Sequence, residues 1–460
     1  MGTIHSIDPA TGTELATFQE DPDEAVENKL AAAAAALPQL GAAGWGGRAA
    51  WMRSAADILE TEVEAVALMI TKEMGKPIAQ SKAEVLKSAH TMRFYADNAE
   101  QFLTGRTLDN PGAVNASTAG TRFDPLGVIL AVMPWNYPIW QVVRFAAPAL
   151  MAGNAGVLKH ASNVPQSAIY LGELFTRAGF PKGAFATLLI GSARVADVIR
   201  DPRVAAVTLT GSEGAGRSIA ATAGDVLKKA VLELGGSDPF IVMPSADINA
   251  AVDTAVKSRT ANNGQACINA KRFIVHQDIY DEFTVKFANK MSSLIVGDPT
   301  DPATEVGPLA TESGRREVTE LVEDARLKGA DIITGTSPGT HESGWFYTPT
   351  VVTGLTQEMR LWAEEAFGPV ASVYRAADLD EALSIANGLE FGLGSAFWST
   401  NDDEIDRAIR EIEAGAVFIN GMTISYAELP FGGIKRSGYG RELSMEGIRE
   451  FCNLKTVWVA

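Results

Sequence analysis

From Gly127 onward, short apolar runs recur at regular distances, and helical patterns fill the gaps between them. Gly127–Met133, Ala155–Lys159, Thr187–Ile190 and Ala205–Thr210 read as strands. Trp140–Gly153, Pro165–Ala178 and Ala193–Asp201 read as the helices between them. Strands this apolar are covered on both faces, and strands joined by helices lie parallel. The pattern predicts an α/β fold built on a doubly wound parallel sheet. A second α/β set begins after Gly235-Gly236. Its strands are Pro239–Val242, Arg272–Val275, Ala371–Tyr374, Gly394–Trp398 and Ala416–Ile419. Its helices are Ile248–Ala261, Asp281–Ser293, Ser313–Lys328, Leu379–Asn387 and Asp402–Glu411.

The N-terminal part is mostly helical: Asp23–Leu37, Gly47–Glu73 and Pro77–Phe102, with Met74-Gly75-Lys76-Pro77 as stop and start. Alternation in Thr118–Phe123 predicts a strand that leaves the main body as an arm. Ile448–Val459 pairs either with that arm or with a neighbouring subunit. Pro125–Val143 carries no charge over 19 residues. Its prolines at 125, 134 and 138, with Asn136, Gln141 and the following Arg144, fit a buried strand and turn rather than a membrane span.

The chain has 460 residues, 46% hydrophobic and 21% charged, enough for two or three domains. A net charge of −17 and a pI near 4.9 argue against nucleic acid or an anionic membrane as partner. Cys267 and Cys452 are the only cysteines, so no disulfide framework is implied and a cytoplasmic location is expected. Met1–Ala10 lacks the basic start and apolar core of a signal peptide. The five histidines show no metal-ligand spacing, and no metal is expected.

Cys267 lies in Asn262-Asn263-Gly264-Gln265-Ala266-Cys267-Ile268, a small polar loop directly before the apolar run Phe273-Ile274-Val275. A core cysteine has apolar neighbours; this one has amides and a glycine that permits a tight bend. That makes it the candidate nucleophile. Pro134-Trp135-Asn136 closes the strand ending at Met133 and sets Asn136 at the carboxyl edge, where open α/β sheets bind ligands. There it serves a turn or an oxyanion. Lys159 and Ser162 leave the next strand at the same edge, either solvated or facing a ribose or phosphate. Thr210-Gly211-Ser212-Glu213-Gly214-Ala215-Gly216 opens a helix, as a plain turn or as a place where an anion meets free amides. Neither of the two common phosphate-binding glycine motifs occurs in the chain. Glu233-Leu234-Gly235-Gly236 and Glu364-Glu365-Ala366-Phe367-Gly368-Pro369 each set a carboxylate beside glycine.

Together, and in this order, these elements resemble the aldehyde dehydrogenase superfamily over nearly the whole chain. Pro430-Phe431-Gly432-Gly433 with Lys435, Ser437 and Gly438 completes the series. The resemblance implies a Rossmann-like cofactor domain at 1–107 and 128–235 and an α/β catalytic domain at 236–435. It implies a small β oligomerisation arm at 108–127 and 436–460, in a homodimer or homotetramer. The implied reaction oxidises an aldehyde with NAD or NADP through a thiohemiacetal and a thioester. Cys267 is then the nucleophile, Glu233 the base, and Asn136 with the Cys267 amide the oxyanion donors. Pro134, Trp135, Lys159, Ser162, Gly211, Ser212, Glu365 and Phe367 are implied around the cofactor, the last two at the nicotinamide ribose and ring.

Within the family the likeness is greatest to members that oxidise succinic semialdehyde. Three features carry it: Arg144, eight residues beyond Asn136; the continuation of the cysteine loop into Ala270-Lys271-Arg272-Phe273; and Ser425, five residues before Pro430. They imply that Arg144 and Ser425 hold the distal carboxylate, a task that suits an arginine fork. Thr260-Ala261 stands where some members place a second arginine, and Asn269 where others carry a second cysteine. Members favouring NAD often carry a glutamate three residues after the cofactor lysine; Ser162 stands there instead, so NADP is expected to be preferred over NAD. The alternatives are a dehydrogenase for another aldehyde (glutaric semialdehyde, aliphatic or aromatic), an acylating version using coenzyme A, or an inactive relative acting as a binding protein.

Overall fold

A computed structural model of the protein describes residues 2–334 and 343–460. Two sheets organise it. In the first, Lys229–Glu233, Val204–Thr210, Val128–Met133, Ala155–His160 and Phe185–Thr187 lie side by side, all parallel. Gly438–Tyr439 adds a short antiparallel edge to Lys229–Glu233. The second sheet runs Asp331–Thr334, Thr350–Thr353, Val370–Ala376, Ala270–His276, Asp238–Val242, Ala396–Trp398 and Phe418–Ile419. It is parallel except at Asp331–Thr334. This is the α/β class that the apolar runs demand.

The helix Trp140–Ala152 is buried at every residue, so Gln141 and Arg144 sit inside the molecule although both are polar. The uncharged stretch around Pro125–Val143 is thus a strand, a turn and a core helix. Among the described residues no helix is long and apolar enough to cross a membrane. The long N-terminal helix expected over Gly47–Glu73 is two helices, Gly44–Thr61 and Val63–Met74. The chain leaves helical geometry at Glu62, whose carboxylate is drawn aside to Tyr170 and Arg177. The strand expected at Thr187–Ile190 is Phe185–Thr187, because Leu189 turns away to bond the Asp21 carboxylate at 2.8 Å.

Cys452–Val459 pairs antiparallel with Thr118–Pro125 along its whole length, so the arm is closed within one chain. Two corrections follow for the C-terminal segment 436–460, which was expected to join the arm entirely. Gly438–Tyr439 belongs to the first sheet, and helix Ser444–Glu450 packs on Ile78–Phe102 and Trp140–Ala152. Their apolar residues explain this: Leu443, Ile448 and Phe451 are buried. Several further strands were not expected, among them the hairpin Thr3–Ile7 with Glu14–Gln19, the pair Asp331–Thr334 and Thr350–Thr353, and Lys229–Glu233, which ends on a candidate base.

Candidate active site

The parallel register of the first sheet brings three loops to one level. Val132 is opposite Lys159 on one side and Leu209 on the other. Pro134–Asn136, Lys159–Ser162 and Gly211–Ser212 therefore leave the same carboxyl edge together, between strands whose connections run to opposite sides. Ser212 caps helix Glu213–Asp225, its hydroxyl accepting from Ala215 N–H at 3.4 Å. Burial lowers the Lys159 pKa, and Glu20 opposes that fall. Ser162 is exposed beside it. Trp135 packs edge-on against Phe367, centroid to centroid 5.7 Å, and so links this edge to the second unit.

The cysteine loop owes its shape to three successive left-handed residues: Asn262 (φ 56°), Asn263 (φ 58°) and Gly264 (φ 76°). Asparagine tolerates that conformation where its side chain is tied down. Here Asn262 Nδ2 donates to the Asn136 carbonyl at 2.8 Å, and Asn263 Nδ2 to the Gly75 and Pro308 carbonyls at 2.8 and 2.9 Å. At Gly264 a Cβ would lie 2.3 Å from the Gly368 carbonyl carbon, so no larger residue fits. Arg259, just before the loop, is wholly buried and bonds the Gly264 and Ala270 carbonyls. It holds the loop rather than a substrate. Asn269 likewise bonds Ala261 O at 2.8 Å.

Cys267 lines a cavity of about 330 Å³ with Tyr137, Arg144, Lys87, Ser425 and Phe431. Burial pushes its thiol up to about 12; Lys271 and Arg144 pull it back, while Glu365 and Glu233 add to the rise. The thiol therefore keeps its proton at neutral pH until a base removes it. Glu233 ends its strand in the interior with neither carboxylate oxygen hydrogen-bonded. Burial, and next the nearby Glu442, hold its carboxyl well above the usual range, against Arg144 and Arg441. A raised carboxyl is the physical requirement for a base that works near neutrality.

Asn136 is 4% exposed and donates through Nδ2 to the Gln265 carbonyl at 2.9 Å. An amide nitrogen has two donors, so one hydrogen remains for an oxyanion. Glu365 reaches over Gly235, whose absent Cβ would lie 2.5 Å from its Oε2, and pairs with Lys271 at 2.8 Å. Lys271 also bonds the Cys267 carbonyl at 2.7 Å.

The match to known proteins covers the same span as this geometry. A sequence profile of the aldehyde dehydrogenase family matches residues 1–457. The chain belongs to the aldehyde dehydrogenase family. Among its relatives, succinate-semialdehyde dehydrogenase [NADP(+)] 1 of Mycobacterium ulcerans is 59% identical over 457 residues, which is 99% of either chain. The corresponding Mycobacterium avium protein is 60% identical over 99% of this chain and 96% of its own. The crystal structure of succinic semialdehyde dehydrogenase from Streptococcus pyogenes in complex with NADP+ superposes with a TM-score of 0.95 at 37% identity, covering 99% of each chain.

Three residues of this aldehyde dehydrogenase's cavity region escaped the sequence reading. Glu442 forms an ion pair with Arg144; Lys271 bridges the cysteine loop to Glu365; and Lys87 donates to Ser425 Oγ at 2.8 Å. The signal for Lys87 was present in its helix. Glu84, Val85, Ser88, Ala89 and Met92 form a buried stripe, and a glutamate on such a stripe marks a polar interior next to it.

Proposed function

We propose that this aldehyde dehydrogenase oxidises succinic semialdehyde to succinate, with NADP+ preferred over NAD+. The carrying observation is the single cavity that joins the Cys267 thiol to the Arg144 and Ser425 side chains. A nucleophile at one wall and donors for a carboxylate at another suit an aldehyde with a distal acid group. The names of the relatives at 59–60% identity support the same substrate and cofactor.

In this reading Glu233 takes the Cys267 proton, and the thiolate attacks the aldehyde carbon. The resulting oxyanion is met by the Asn136 amide and the Cys267 N–H. When bound, the cofactor supplies a nicotinamide that accepts the hydride. After passing that proton to solvent, Glu233 deprotonates the water that attacks the thioester carbon; the carboxylic acid leaves and Cys267 is released as thiolate. Pro134, Trp135, Gly211, Ser212, Glu365 and Phe367 cradle the cofactor, and Lys159 with Ser162 takes the 2′-phosphate. Fit is supported by the open carboxyl edge, by a partly buried lysine on it, and by a serine in place of an acid.

Steady-state kinetics with succinic semialdehyde and butanal, each with NADP+ and NAD+, test this. The acid aldehyde with NADP+ should give the highest kcat/KM. Equal use of butanal would end the substrate reading, and a large advantage of NAD+ would end the cofactor reading.

The arm is the proposed oligomer surface. Leu454, Trp458 and Val459 are exposed on it, which suits a second copy of the chain. Light scattering should give a dimer or tetramer; a monomer at micromolar concentration removes the assignment. A cytoplasmic location belongs to the same reading, supported by two cysteines that are both free thiols.

A further inference from the structure

Among the described residues no carboxylate forms an ion pair with one cation of the Cys267 cavity. Lys87, on helix Ile78–Phe102, lies half-buried with its Nζ 4.2 Å from the Trp140 ring centroid and 2.8 Å from Ser425 Oγ. The acid nearest in sequence is Glu84, three residues earlier, and it is already committed. One of its oxygens forms an ion pair with the buried Lys76, and the other accepts from the Ile139 and Trp140 amides at 2.9 and 3.0 Å. Arg144, across the cavity on helix Trp140–Ala152, has Glu442 as counter-ion and also donates to Thr210 Oγ1 at 3.0 Å. Arg144 is thus paired, whereas among the described residues Lys87 has no carboxylate partner.

A half-buried ammonium without a counter-ion is unfavourable unless something else meets it. Burial, and next the like charge of Arg144, push Lys87 down to about 8, with Glu84 opposing. An incoming carboxylate supplies the missing charge. The cavity, at about 330 Å³, holds roughly ten times the ~30 Å³ that one water takes in the liquid. That is ample for a four-carbon chain.

We propose that Lys87 is the carboxylate anchor of the substrate cavity, with Ser425 fixing its ammonium, and that it sets the preference for aldehydes that end in an acid. The inference rests on the substrate reading above. The Trp140 ring face and the Ser425 hydroxyl both meet the ammonium itself and so hold it at one position in the cavity.

The test is the ratio of kcat/KM for succinic semialdehyde to that for butanal, measured with NADP+ on wild type, Lys87→Met and Lys87→Arg. Cys267 and Glu233 serve both aldehydes, so their ionisation cancels in this ratio. Lys87→Met should lower it about 30-fold, through KM rather than kcat, as for the loss of one charge-assisted hydrogen bond. Lys87→Arg should restore most of it.

The charged groups facing Lys87 are Glu84, Arg144, Lys257 at the mouth and Cys267. Above pH about 8 the ammonium loses its proton, and the wild-type ratio should fall tenfold per pH unit; Lys87→Arg should remove that fall. Succinate should inhibit wild type better at pH 7 than at pH 9.5, and the uncharged butyramide equally at both, a comparison that needs no variant to fold. A wild-type ratio near one would overturn the substrate reading and the anchor together. A high wild-type ratio that survives Lys87→Met and shows no fall above pH 8 overturns the anchor alone.

Discussion

Arg144 and Glu442 form an ion pair inside the wall of the Cys267 cavity, the two side chains 3% and 4% exposed. Burial still wins at Glu442, whose carboxyl stays raised despite the guanidinium beside it. The pair places a positive charge between two acids, because Arg144 also lowers Glu233. Arg144 thus has a duty to the protein as well as any duty to a substrate.

Removing Arg144 should accordingly harm both charged and uncharged aldehydes. Arg144→Ala leaves Glu442 buried without its partner, a change that costs about 3–5 kcal/mol in comparable pairs. It also removes the cation that lowers Glu233, so the acid limb of kcat should move to higher pH. Urea unfolding and a butanal pH profile check both. A loss confined to succinic semialdehyde, at unchanged stability, would assign Arg144 to the substrate alone.

Glu233→Gln should stabilise the protein while stopping turnover. The folded carboxyl is raised, so the folded state holds a proton that the unfolded chain releases near pH ~4.3. Stability from that proton is complete below ~4.3 and is lost as pH rises through the folded value. Glutamine has no such loss. The variant should outlast wild type in urea at pH 8, and the gap should close towards pH 4. A variant less stable than wild type at pH 8 would mean that the Glu233 charge is held by partners absent from this arrangement.

Asn136→Ala should lower kcat about 100-fold and alter KM little, since one oxyanion donor is worth ~3 kcal/mol of barrier. Part of any larger loss comes from the Gln265 carbonyl, which would lose its 2.9 Å donor and loosen the cysteine loop. Asn136→Asp keeps the size but, while ionised, can donate neither to the oxyanion nor to the Gln265 carbonyl, so it should be no more active than Asn136→Ala. Full activity in either variant would remove Asn136 from the oxyanion site.

The sheets were legible because Val128–Met133, Ala155–His160 and Val204–Thr210 are apolar enough to have only one destination. Cys267 was legible because polar residues flank it where a core would be apolar. Lys229–Glu233 was not, since its first residue is exposed and only its last three are buried. Glu442, Lys271 and Lys87 were hidden for a different reason. Each acquires its meaning from a partner far along the chain: Arg144, Glu365 and Ser425 respectively. The buried stripe around Glu84 marks the polar surroundings of Lys87, but no local pattern encodes the pairing itself.

Cofactor choice offers the most direct single-residue reversal. Ser162 is exposed at the sheet edge, three residues beyond the partly buried Lys159, whose charge Glu20 favours. Ser162→Glu places a negative charge where a 2′-phosphate would bind and offers an acceptor to free ribose hydroxyls instead. Two charges ~5 Å apart repel by about 1–3 kcal/mol between the limits of bulk water and protein surface. The ratio of kcat/KM for NADP+ to that for NAD+ should fall about 10- to 100-fold, and more steeply at low ionic strength. Cys267 and Glu233 are untouched by the change, so kcat with saturating NAD+ should hold. A ratio that does not move would show that the 2′-phosphate binds away from Ser162, leaving Lys159 to be tested alone by Lys159→Ala.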